Sequence, residues 1–486
     1  MINERHITKE DIISMHKPSL ISAAYTDLYE LTMAQAYFLG GHKDTTAVFD
    51  YFFRKLPFNG GYVVFAGLWT LLEILEDLRF TPEDIEYLRE WGFDKTFLKY
   101  LGDFRFRGSV DSSAEGDIVF PTRPVLSIEG SVIEAQIIET LVLNVLNFQS
   151  LIATKASRMR QSAGERKLID FGMRRAHGPS AYYAARAAVI GGFDATSNVQ
   201  AGKDLGIPVS GTMAHSYVQY FDDELSAFRS FAEHWPENCI LLADTYNTLE
   251  SGVPNAITVA REMKERGQEL KGIRLDSGDL AYMAKRSRKM LDDSGLKDVK
   301  IAASNQLDEH LIKSLLEQHA PIDVFGVGTN LVTGQPDAAL DGVYKLAFSN
   351  GKAKMKLSEN ISKITIPHKK QVHRLRDKQG KILGADIISL RDDNDLSKMY
   401  HPLNPAKSMS FKNYKSESLL HPFMKNGSRL SETPSLSSIS AYRAERLAEL
   451  PDEYKRFDNP HIYKIGLSRK LKEKRDAMIN YYQEKE

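Results

Sequence analysis

The stretch from residue 131 to residue 345 alternates short apolar runs with segments of helical pattern, and this alternation narrows the possible folds most. Polar residues and then a helix-like segment follow each run, which predicts the strands of one parallel sheet. Seven such runs favour a closed or nearly closed α/β barrel over an open sheet, although periodicity alone does not separate the two. The predicted strands are Lys167–Asp170, Val189–Phe193, Ile207–Ser210, Ile240–Ala243, Gly272–Leu275, Val299–Ala302 and Ile322–Phe325.

Helical patterns fill the gaps between the later strands of this region. The clearest of them are Asn255–Arg266, Leu280–Asp292 and Glu309–Gln318. The even strand-to-strand distances from residue 240 to residue 325 are typical of repeated βα units. Residues 131–345 are therefore predicted to form the catalytic α/β barrel domain.

The regions before and after the predicted barrel lack its regular alternation of apolar runs and helical segments. We therefore divide the chain into residues 1–130, 131–345 and 346–486. The first region is predicted to be α+β, and the third is predicted to contain short strands and a charged final helix. The stretch 405–438 is rich in Ser, Lys, Asn and Pro and is predicted to be an exposed excursion. The individual predictions are a helix after Thr26–Asp27, a strand at Ala47–Phe53, a helix from Thr81–Asp84, strands at Lys363–Ile366 and Gln371–Arg374, and a helix at Arg469–Glu486.

Charge and cysteine content restrict the possible partners. Lys and Arg total 64 and Asp and Glu total 64, so bulk charge gives no reason to expect a nucleic acid or an acidic membrane. The single cysteine, Cys239, excludes an internal disulfide and a cysteine-based zinc site, and its apolar run is typical of a small buried hydrophobe. The start of the chain is polar and the apolar stretch 62–75 is too short to span a bilayer, so we expect a soluble, cytoplasmic protein.

The residues that follow the predicted strands form the candidate site, because ligands of parallel barrels bind at the carboxyl ends of the strands. These strand ends supply arginines, aspartates, a histidine and small-residue loops. Together they predict a site for an anionic ligand that carries phosphate. The segments are Asp170–Arg175, Gly211–Ser216, Asp244–Tyr246, Arg274–Asp279, Ser304–Asn305 and Gly326–Asn330.

Two of these segments have a chemical and a plainer interpretation. Gly326 and Gly328 allow backbone N–H groups to approach a phosphate, and a helix starting after them would add a favourable dipole, but a tight turn has the same pattern. His215 lies between the small residues Ala214 and Ser216, which predicts an accessible ring with Asp244 placed to hold its second nitrogen. A purely structural histidine fits the same pattern.

Arg274 and Asp276 share one face of a strand end, because alternate residues of a strand point to the same side. The cation suits a carboxylate or an aromatic ring, and the anion suits ribose hydroxyls or a metal-bound pyrophosphate. A mutual salt bridge is the plainer alternative, as surface charge is for Arg174 and Arg175. Asp170–Gly172 matches the magnesium motif of protein kinases, but the rest of that signature is absent.

Together these segments resemble the nicotinate phosphoribosyltransferase family, over residues 20–375. The resemblance implies a barrel of the type II phosphoribosyltransferase kind, flanked by an α+β domain built from the N-terminal and C-terminal regions. It also implies a homodimer with active sites shared between subunits. The matching blocks are Tyr25–Tyr29, Phe52–Arg54, Asp170–Gly178, Gly192–Asn198, Gly211–Ser216, Leu242–Tyr246, Ile273–Asp279 and Phe325–Thr329.

The resemblance further implies an activity: nicotinate and phosphoribosyl pyrophosphate give nicotinate mononucleotide and pyrophosphate, with Mg²⁺ present and ATP as a co-substrate. Nicotinate would lie between Tyr25 of the partner subunit and Phe171, and would contact Thr212 and Arg274. His215 would be the histidine that ATP phosphorylates. Asp244 and Asp276 would orient it and serve the ribose and magnesium region. The groups implied for phosphoribosyl pyrophosphate are Arg54, Arg174, Ser277, Ser304, Gly326, Gly328 and Thr329.

The sequence departs from the family pattern at His368, which stands where a glycine is expected between Pro367 and the Lys-Gln-Val run. A turn that needs glycine is therefore altered there, away from the candidate site. Three other functions stay open at this point. They are transfer to nicotinamide instead of nicotinate, phosphate binding without catalysis, and an unrelated barrel enzyme such as a Schiff-base aldolase, for which no strand-end lysine stands out.

Overall fold

The structure is a computed structural model that describes residues 21–357, 364–393, 395–402, 404, 406–412 and 414–484. The chain forms two compact units. The first contains the residues through Leu151 together with those from Ala339 onward, and the second contains Ile152–Ala338. The boundary at residue 151 falls inside the long helix Glu139–Ala163. The division at residues 130 and 345 stays a prediction.

The second unit is built on a six-stranded sheet in which every pairing is parallel. The strand order is β7-β6-β11-β10-β9-β8, so all the carboxyl ends lie at one edge of the sheet, which we call the carboxyl edge. The strands are β6 (Lys167–Asp170), β7 (Ala195–Thr196), β8 (Ile240–Leu242), β9 (Gly272–Leu275), β10 (Lys300–Ser304) and β11 (Val324–Val327).

Helices connect these strands, and their starts follow local capping chemistry. Asp279 and Asp308 accept hydrogen bonds from backbone N–H groups of the first turns that follow them, as N-cap residues do. The three helices predicted between the later strands are confirmed to within two residues. The helices of this unit are Ser180–Ile190, Val199–Leu205, His215–Tyr220, Glu224–His234, Val253–Glu265, Leu280–Asp293, Glu309–Glu317 and Thr329–Val332, with a π-helical turn at Thr248–Gly252.

Two predicted strands of this unit are wrong, and the barrel does not close through hydrogen bonds among the described residues. Val189 and Ile190 end a helix, in which Ile190 is buried and Val189 is partly buried, and the strand lies later at Ala195–Thr196. Ile207–Ser210 forms only a parallel bridge between Thr196 and Val209, and residues 210–214 have no regular secondary structure. The α/β class is confirmed, and the hydrogen-bonded sheet is open.

The first unit contains two larger sheets and one strand pair. A seven-stranded antiparallel sheet has the order β13-β12-β1-β5-β3-β19-β20, a six-stranded mixed sheet has the order β17-β16-β21-β15-β14-β18, and β2 pairs with β4. Before residue 152 the strands are β1 (Thr46–Phe53), β2 (Val63–Val64), β3 (Ser109–Ser112), β4 (Ile118–Val119) and β5 (Leu126–Ser131). After residue 338 they are β12 (Gly342–Ser349), β13 (Lys352–Ala353), β14 (Lys370–Arg376), β15 (Ile382–Leu390), β16 (Lys398–Tyr400), β17 (Ser408–Ser410), β18 (Lys415–Ser418), β19 (His421–Lys425), β20 (Ser428–Arg429) and β21 (Lys464–Leu467).

Several predictions for the first unit are confirmed from local signals. The strand predicted at Ala47–Phe53 is β1, and Thr81 and Asp84 form a reciprocal capping box at the start of a helix. The predicted strand at Gln371–Arg374 lies within β14, and the last helix spans Arg469–Gln483. The helices are Leu28–Leu39, Leu68–Asp77, Pro82–Glu90, Lys95–Gly102, Val132–Ile137, Leu436–Glu449, Asp452–Lys455 and Arg469–Gln483, in addition to the long helix Glu139–Ala163.

The stretch 405–438 is not an exposed excursion. It supplies strands to both larger sheets of the first unit, and Leu419 and Met424 are buried. Polar composition hid these strands because one face of an edge strand is exposed to water. Of the strand predicted at Lys363–Ile366, Lys363 lies outside the described residues, and residues 364–366 form no strand.

His368 adopts a left-handed backbone conformation, with a φ of 75°. Glycine favours this conformation, and a residue with a Cβ adopts it at a steric cost. The structure thus places a histidine in a backbone conformation that favours glycine, and the alteration of the turn relative to the family stays a prediction. The neighbouring Lys370 fixes this turn, because its buried Nζ donates to three carbonyls and lies 2.7 Å from Asp50 Oδ2.

Two further expectations concern single features. Cys239 is buried, and burial raises the pKa of its thiol to about 12, as expected of an inert core residue. Over the part of the chain that the structure describes, no helix combines the length and the apolar character needed to cross a bilayer.

Candidate active site at the carboxyl edge

Asp244 is the most firmly held carboxylate of the carboxyl edge. It follows β8, and its Oδ2 accepts hydrogen bonds from the backbone N–H of Asp276 at 2.8 Å and from Ser277 Oγ at 2.6 Å. Its Oδ1 is buried and has no hydrogen-bond partner among the described residues. A buried carboxylate oxygen without a partner is costly, so its persistence suggests a site that a ligand completes.

The ends of β8, β9 and β10 are joined by side chains that the sequence placed at strand ends. Ser304 donates to Oδ1 of Asp276, which ties β10 to the turn after β9. Asp276 in turn contacts Asp244 through its backbone N–H. Three neighbouring strand ends therefore present a continuous row of hydroxyl and carboxylate groups.

Arg274, on β9, is the partly buried cation of this edge. Its Nη1 donates to Thr212 Oγ1, and its Nε is buried without a hydrogen-bond partner among the described residues. Burial lowers the pKa of Arg274, while the charges of Asp276 and Asp244 oppose that shift. Within the described residues Arg274 forms no salt bridge, so simple pairing with Asp276 does not explain its position.

His215 opens the helix His215–Tyr220, and its ring lies against the residues that follow β8. Its Nδ1 is 3.1 Å from Thr245 Oγ1, and its Nε2 is 3.9 Å from Asp244 Oδ1. Its side chain is 40% exposed, so the ring is accessible as expected. The expected hydrogen bond from the His215 ring to Asp244 is not formed at 3.9 Å. Thr245, which the sequence analysis did not single out, makes the direct contact instead.

Phe171 follows β6, and its ring lies directly on the backbone of β11. A Cβ at Gly326 would come within 2.3 Å of the Phe171 ring, so only glycine fits there. Gly326 therefore has a packing role that the Gly-x-Gly pattern did not reveal. The preceding Asp170 is buried, which raises its pKa, although Gly172 N and Thr196 Oγ1 each donate to it at 2.8 Å.

The turn after β11 leads into the helix Thr329–Val332, which has only four residues. The favourable dipole expected from a following helix is therefore small, because the dipole grows with the number of aligned peptides. Gly328 has a φ of −114°. A Cβ added to Gly328 would make only ordinary van der Waals contact with the backbone of Phe171, so there is space beside its Cα. Any phosphate contact here depends on individual backbone N–H groups.

The turn after β10 is held in an unusual backbone conformation beside this loop. Asn305 and Gln306 have φ values of 88° and 47°, which non-glycine residues rarely adopt. Asn330 Nδ2 donates to the carbonyls of Gln306 and Leu307 at 2.9 and 3.2 Å. The strain is thus stabilised by the neighbouring loop, as is common at functional sites.

Twelve of the predicted site residues lie at or next to the carboxyl edge of the second unit, where the predicted convergence is found. Arg174 ends a short 3₁₀ turn there and is exposed. Tyr25 and Arg54 belong to the first unit, where Tyr25 is 47% exposed and Arg54 Nε is buried without a hydrogen-bond partner among the described residues. The twelve are Phe171, Arg174, Thr212, His215, Asp244, Arg274, Asp276, Ser277, Ser304, Gly326, Gly328 and Thr329.

Thr196 is a second residue that the sequence analysis did not assign. It ends β7, is buried, and binds Asp170 across to β6. Its signal in the sequence was present, since Thr196 lies in one of the matching blocks, but its neighbour in space was unknown. Over the described part of the chain, no group of three or more His, Cys, Asp or Glu side chains is arranged to hold a metal ion.

Three profiles of one protein family match the chain. The nicotinate phosphoribosyltransferase N-terminal domain matches residues 25–147, the nicotinate phosphoribosyltransferase family matches residues 166–381, and the C-terminal domain matches residues 369–475. The family match covers all the strands of the carboxyl edge.

Individual relatives match over almost the full chain. Nicotinate phosphoribosyltransferase of Bacillus subtilis is 44% identical over 470 residues, which cover 95% of this chain and 94% of that protein. The enzyme of the same name from Caenorhabditis elegans is 36% identical, with 93% and 92% covered. The crystal structure of human nicotinic acid phosphoribosyltransferase has a TM-score of 0.84 at 29% identity, covering 93% of this chain and 99% of that one.

Proposed function

The chain belongs to the nicotinate phosphoribosyltransferase family, and we propose that it forms nicotinate mononucleotide from nicotinate and phosphoribosyl pyrophosphate, a step of NAD biosynthesis. The observation that carries this proposal is Arg274, a partly buried guanidinium without a salt bridge among the described residues. A cation in this state is ready to bind an anionic group, because the cost of burying it falls when a carboxylate pairs with it. Nicotinate has such a carboxylate, and nicotinamide does not.

The nicotinate site consists of one charged and one aromatic surface. Arg274 binds the carboxylate, with Thr212 fixing the guanidinium through its hydroxyl. The Phe171 ring stacks on the pyridine, and the backbone of Gly326 supports the other face of the Phe171 ring. Tyr25 covers the other face from the partner subunit of a homodimer, which its exposed ring permits.

Phosphoribosyl pyrophosphate binds along the row of strand ends. Asp276 accepts hydrogen bonds from the ribose hydroxyls, and Ser277 and Ser304 lie on either side of it in the hydrogen-bonded row. The 5′-phosphate contacts the backbone of Gly326 and Gly328 and the Thr329 hydroxyl, with Arg174 nearby and Arg54 reaching across the dimer.

Magnesium fits this edge through oxygen ligands. Mg²⁺ prefers carboxylates and phosphate oxygens. Asp276 is bonded through its backbone N–H to Asp244 Oδ2, and Asp244 Oδ1 is buried without a hydrogen-bond partner in the described chain. Asp276 and the pyrophosphate oxygens of the substrate would hold the ion. When bound, it neutralises charge on the leaving pyrophosphate.

The reaction breaks the bond between ribose C1′ and the pyrophosphate oxygen and forms a bond from C1′ to the pyridine nitrogen. Positive charge develops on the ribose in the transition state, so the protein acts mainly by positioning and charge balance. Phe171 aligns the pyridine, Arg274 balances its carboxylate, and Asp276 orients the ribose. Pyrophosphate leaves with the bonding electron pair, and no proton is transferred.

ATP coupling is the second part of the proposal, and it centres on His215. A ring nitrogen of His215 attacks the γ-phosphorus of ATP, the bond to the ADP oxygen breaks, and ADP leaves with that electron pair. After transfer, water attacks the phosphorus, the P–N bond breaks and phosphate leaves, which completes ATP hydrolysis. The accessible ring supports this role, as does its position beside Asp244. The added negative charge lies near the magnesium and pyrophosphate region, which couples ATP hydrolysis to substrate binding and to the overall equilibrium.

We also propose that residues 207–213 occupy the position of the missing barrel strand. Two bonds support this: Thr196 N donates to Pro208 O and Ser210 N donates to Thr196 O, both at 3.0 Å. On the other side, the strand at the open edge is β8, and His215, which follows this segment, lies 3.1 Å from Thr245 Oγ1 just after β8. The ring of strands would then close through one side-chain contact where backbone pairing is lacking.

The decisive experiment measures pyrophosphate release from phosphoribosyl pyrophosphate, with nicotinate or nicotinamide, with and without ATP. We expect release with nicotinate, stimulated by ATP, and little release with nicotinamide. Equal rates with both bases would favour the sister activity. Binding of phosphoribosyl pyrophosphate without release on either base would favour a protein that has lost catalysis.

Replacement of the histidine tests the coupling separately. His215→Ala is expected to abolish ATP hydrolysis and ATP stimulation while leaving a slow, uncoupled transfer, because the substrate contacts remain. ADP formation and pyrophosphate release are measured in parallel. A mutant that hydrolyses ATP in step with transfer would remove His215 from this role.

A further inference from the structure

Phe171 lies in a turn whose backbone is constrained. Its φ of −108° and ψ of 16° fall in a sparsely allowed region where many active-site residues are found. The side chain has no polar atom that could hold it, so the position of the ring follows from the backbone of this turn and from packing. Whatever fixes the turn therefore fixes the aromatic surface of the proposed nicotinate site.

Packing and one backbone bond hold the turn against β11. The Phe171 ring lies on the backbone of Gly326, and a Cβ at Gly172 would come within 2.1 Å of Val332 Cγ1. Phe171 N donates to Val327 O at 2.8 Å, which continues the pairing between β6 and β11. These contacts set how closely the turn approaches the strand and leave its conformation to a polar side chain.

That polar side chain is the carboxylate of Asp170. Its Oδ1 accepts a hydrogen bond from Gly172 N at 2.8 Å, which closes an Asx-type turn around Phe171. Its Oδ2 accepts from Thr196 Oγ1 at 2.8 Å, and no other hydrogen bond reaches this oxygen among the described residues. Asp170 is 1% exposed, so loss of the hydroxyl would leave a buried carboxylate oxygen unsatisfied, which is costly.

Thr196 is itself held firmly at the end of β7. Its Oγ1 accepts from Asn198 N at 3.1 Å, which leaves the single hydroxyl hydrogen for Asp170. Its backbone N donates to Pro208 O and its carbonyl accepts from Ser210 N, both at 3.0 Å. Thr196 is fully buried, so any influence on a ligand passes through its neighbours.

We propose that Thr196 is a positioning residue for Phe171: its hydroxyl holds Asp170 Oδ2, and Asp170 holds the turn that places the ring in the base site. This inference deepens the proposed function and rests on it, because the stacking of nicotinate on Phe171 belongs to that function. Without the hydroxyl, the carboxylate is drawn toward another donor, and Gly172 N loses its acceptor. The ring then leaves the position in which it faces the pyridine.

The first test measures the turn itself in the full-length protein without substrates. Amide hydrogen exchange is followed by mass spectrometry in a peptide of residues 169–176, which contains the Gly172 N–H that bonds Asp170. We expect faster exchange of this peptide in Thr196→Val and wild-type exchange in Thr196→Ser, which keeps the hydroxyl. Peptides of the first unit should not change in either variant.

Wild-type exchange in Thr196→Val, or faster exchange throughout the chain, overturns the proposal. If the valine variant does not fold, Thr196→Ala takes its place with the same expectation, because it also lacks the hydroxyl and adds no bulk beside the carboxylate.

The second test follows initial rates with saturating ATP and phosphoribosyl pyrophosphate. Thr196→Val is expected to raise KM for nicotinate about tenfold, as for the loss of one hydrogen bond that orders the site. kcat should fall less than about threefold, because stacking supports the base in both the ground state and the transition state. Thr196→Ser should restore KM. A serine variant with the KM of the valine variant contradicts a role for the hydroxyl.

Thr258→Val is the matched control for replacing threonine by valine. The Thr258 hydroxyl bonds Pro254 O within the helix Val253–Glu265 of the same unit. We expect wild-type KM for nicotinate in this variant. A tenfold rise there as well would show that the effect of Thr196→Val is not specific to its position.

A double variant tests whether the effect passes through Phe171. Phe171→Leu removes the aromatic ring, so adding Thr196→Val to it should change KM for nicotinate by less than a further factor of about two. A further tenfold rise in that background would show that Thr196 acts by another route and would overturn the proposal.

The tests separate this inference from the function on which it rests. If exchange of the turn responds to Thr196→Val and not to Thr196→Ser, but the wild type releases no pyrophosphate with nicotinate, the role of Thr196 in the turn stands and the proposed activity fails. If pyrophosphate is released and neither exchange nor KM responds to Thr196→Val, the activity stands and the positioning claim fails.

Discussion

Both units of the molecule bury arginine and aspartate side chains, but they use them in opposite ways. In the first unit, Arg374 lies 3.1 Å from Asp117 and 3.2 Å from Asp386, and Arg446 and Arg123 complete a buried ionic network. In the second unit, Arg274 at the carboxyl edge forms no ion pair within the described chain, and Asp244 approaches only His215, at 3.9 Å. The same residue types are paired in one place and left open in the other.

The difference is visible in the electrostatics of the two regions. Burial opposes the charge of Asp117, yet Arg374, Arg446 and Arg123 lower its pKa to about 2. At the carboxyl edge, burial lowers the pKa of Arg274 and the nearby carboxylates do not reverse the shift. Burial lowers the pKa of Arg123 in the first unit as well, but Arg123 has Asp386 at 3.0 Å, whereas Arg274 has no ion-pair partner in the described chain. A buried charge with an ion-pair partner is structural, and one without such a partner points to a ligand.

The largest expected effect breaks the buried ionic network. Arg374→Met is expected to lower the free energy of unfolding by about 3–5 kcal/mol, because it leaves Asp117 and Asp386 under-compensated in the interior. Urea denaturation measures it. Arg391→Met, at an exposed ion pair with Asp111, should cost less than about 1 kcal/mol. An equal loss of unfolding free energy in the two variants would contradict a structural role that is specific to the buried network.

At the carboxyl edge the expected effect falls on activity and spares stability. Arg274→Gln is expected to lower kcat/KM for nicotinate about 100-fold, the loss expected when a desolvated carboxylate loses its cation. Its free energy of unfolding should stay within about 1 kcal/mol of the wild type, because no internal salt bridge is lost. Kinetics with nicotinamide serve as the control, since the amide has no charge to lose. A fall of several kcal/mol in the free energy of unfolding of Arg274→Gln would show that Arg274 has a structural role.

A third buried ionisable group, Glu30, lies in the first unit. Glu30 is fully buried, and burial together with the charge of Glu139 raises its pKa from 4.5 to about 7, against the hydrogen bond from Gln136. The folded state binds this proton more tightly than the unfolded chain. Its contribution to stability is therefore complete below pH 4.5 and is lost as the pH rises through about 7.

Glu30→Gln should remove this pH dependence. We expect the variant to exceed the wild type in unfolding free energy by about 1–3 kcal/mol at pH 8, and by much less at pH 5.5. Thermal denaturation at the two pH values measures the difference. Glu90→Gln, at an exposed position of the helix Pro82–Glu90 in the same unit, is the comparison for a generic loss of charge. A gain that is the same at both pH values would exclude Glu30 as its source.

The smallest effect concerns His368 and its left-handed backbone. His368→Gly should raise the unfolding free energy by about 0.5 kcal/mol, because relief of the steric cost slightly exceeds the entropy that glycine loses on folding. Asn350→Gly, at a φ of 49°, should gain less, since asparagine tolerates this conformation. A clear loss of stability in His368→Gly would mean that its side chain contributes more than its backbone costs.

Local signals in the sequence predicted much of the fold. The capping box at Thr81, the helices between the later strands and the polar residues at the strand ends all depend on neighbours within a few positions. The wrong strand at Val189–Ile190 shows the limit, because a short apolar run is the same pattern in a strand and at a buried helix end. Closure of the barrel depended on pairing around Ile207–Ser210, which no local pattern encodes.

The candidate site followed the same division. Strand ends converge because parallel strands share an edge, so the set that includes Arg274, Asp244 and His215 was predictable. Thr245 was not, since a threonine beside an aspartate has no distinguishing pattern until the ring of His215 is placed against it. The buried ionic network was equally invisible, because Asp117 and Arg374 are separated by 257 positions in the chain.

The contact between Phe171 and Gly326 has a consequence for what the site can accept. The Phe171 ring packs directly on the backbone of Gly326, with no side chain between them. The ring therefore cannot move closer to the strand, because backbone has no side-chain rotamer that could change to make room. In the proposed function this ring forms one wall of the base-binding slot, and that wall is inelastic. A bulkier heterocycle cannot be accommodated by shifting that wall, and discrimination among flat rings of similar size is left to the groups at their periphery.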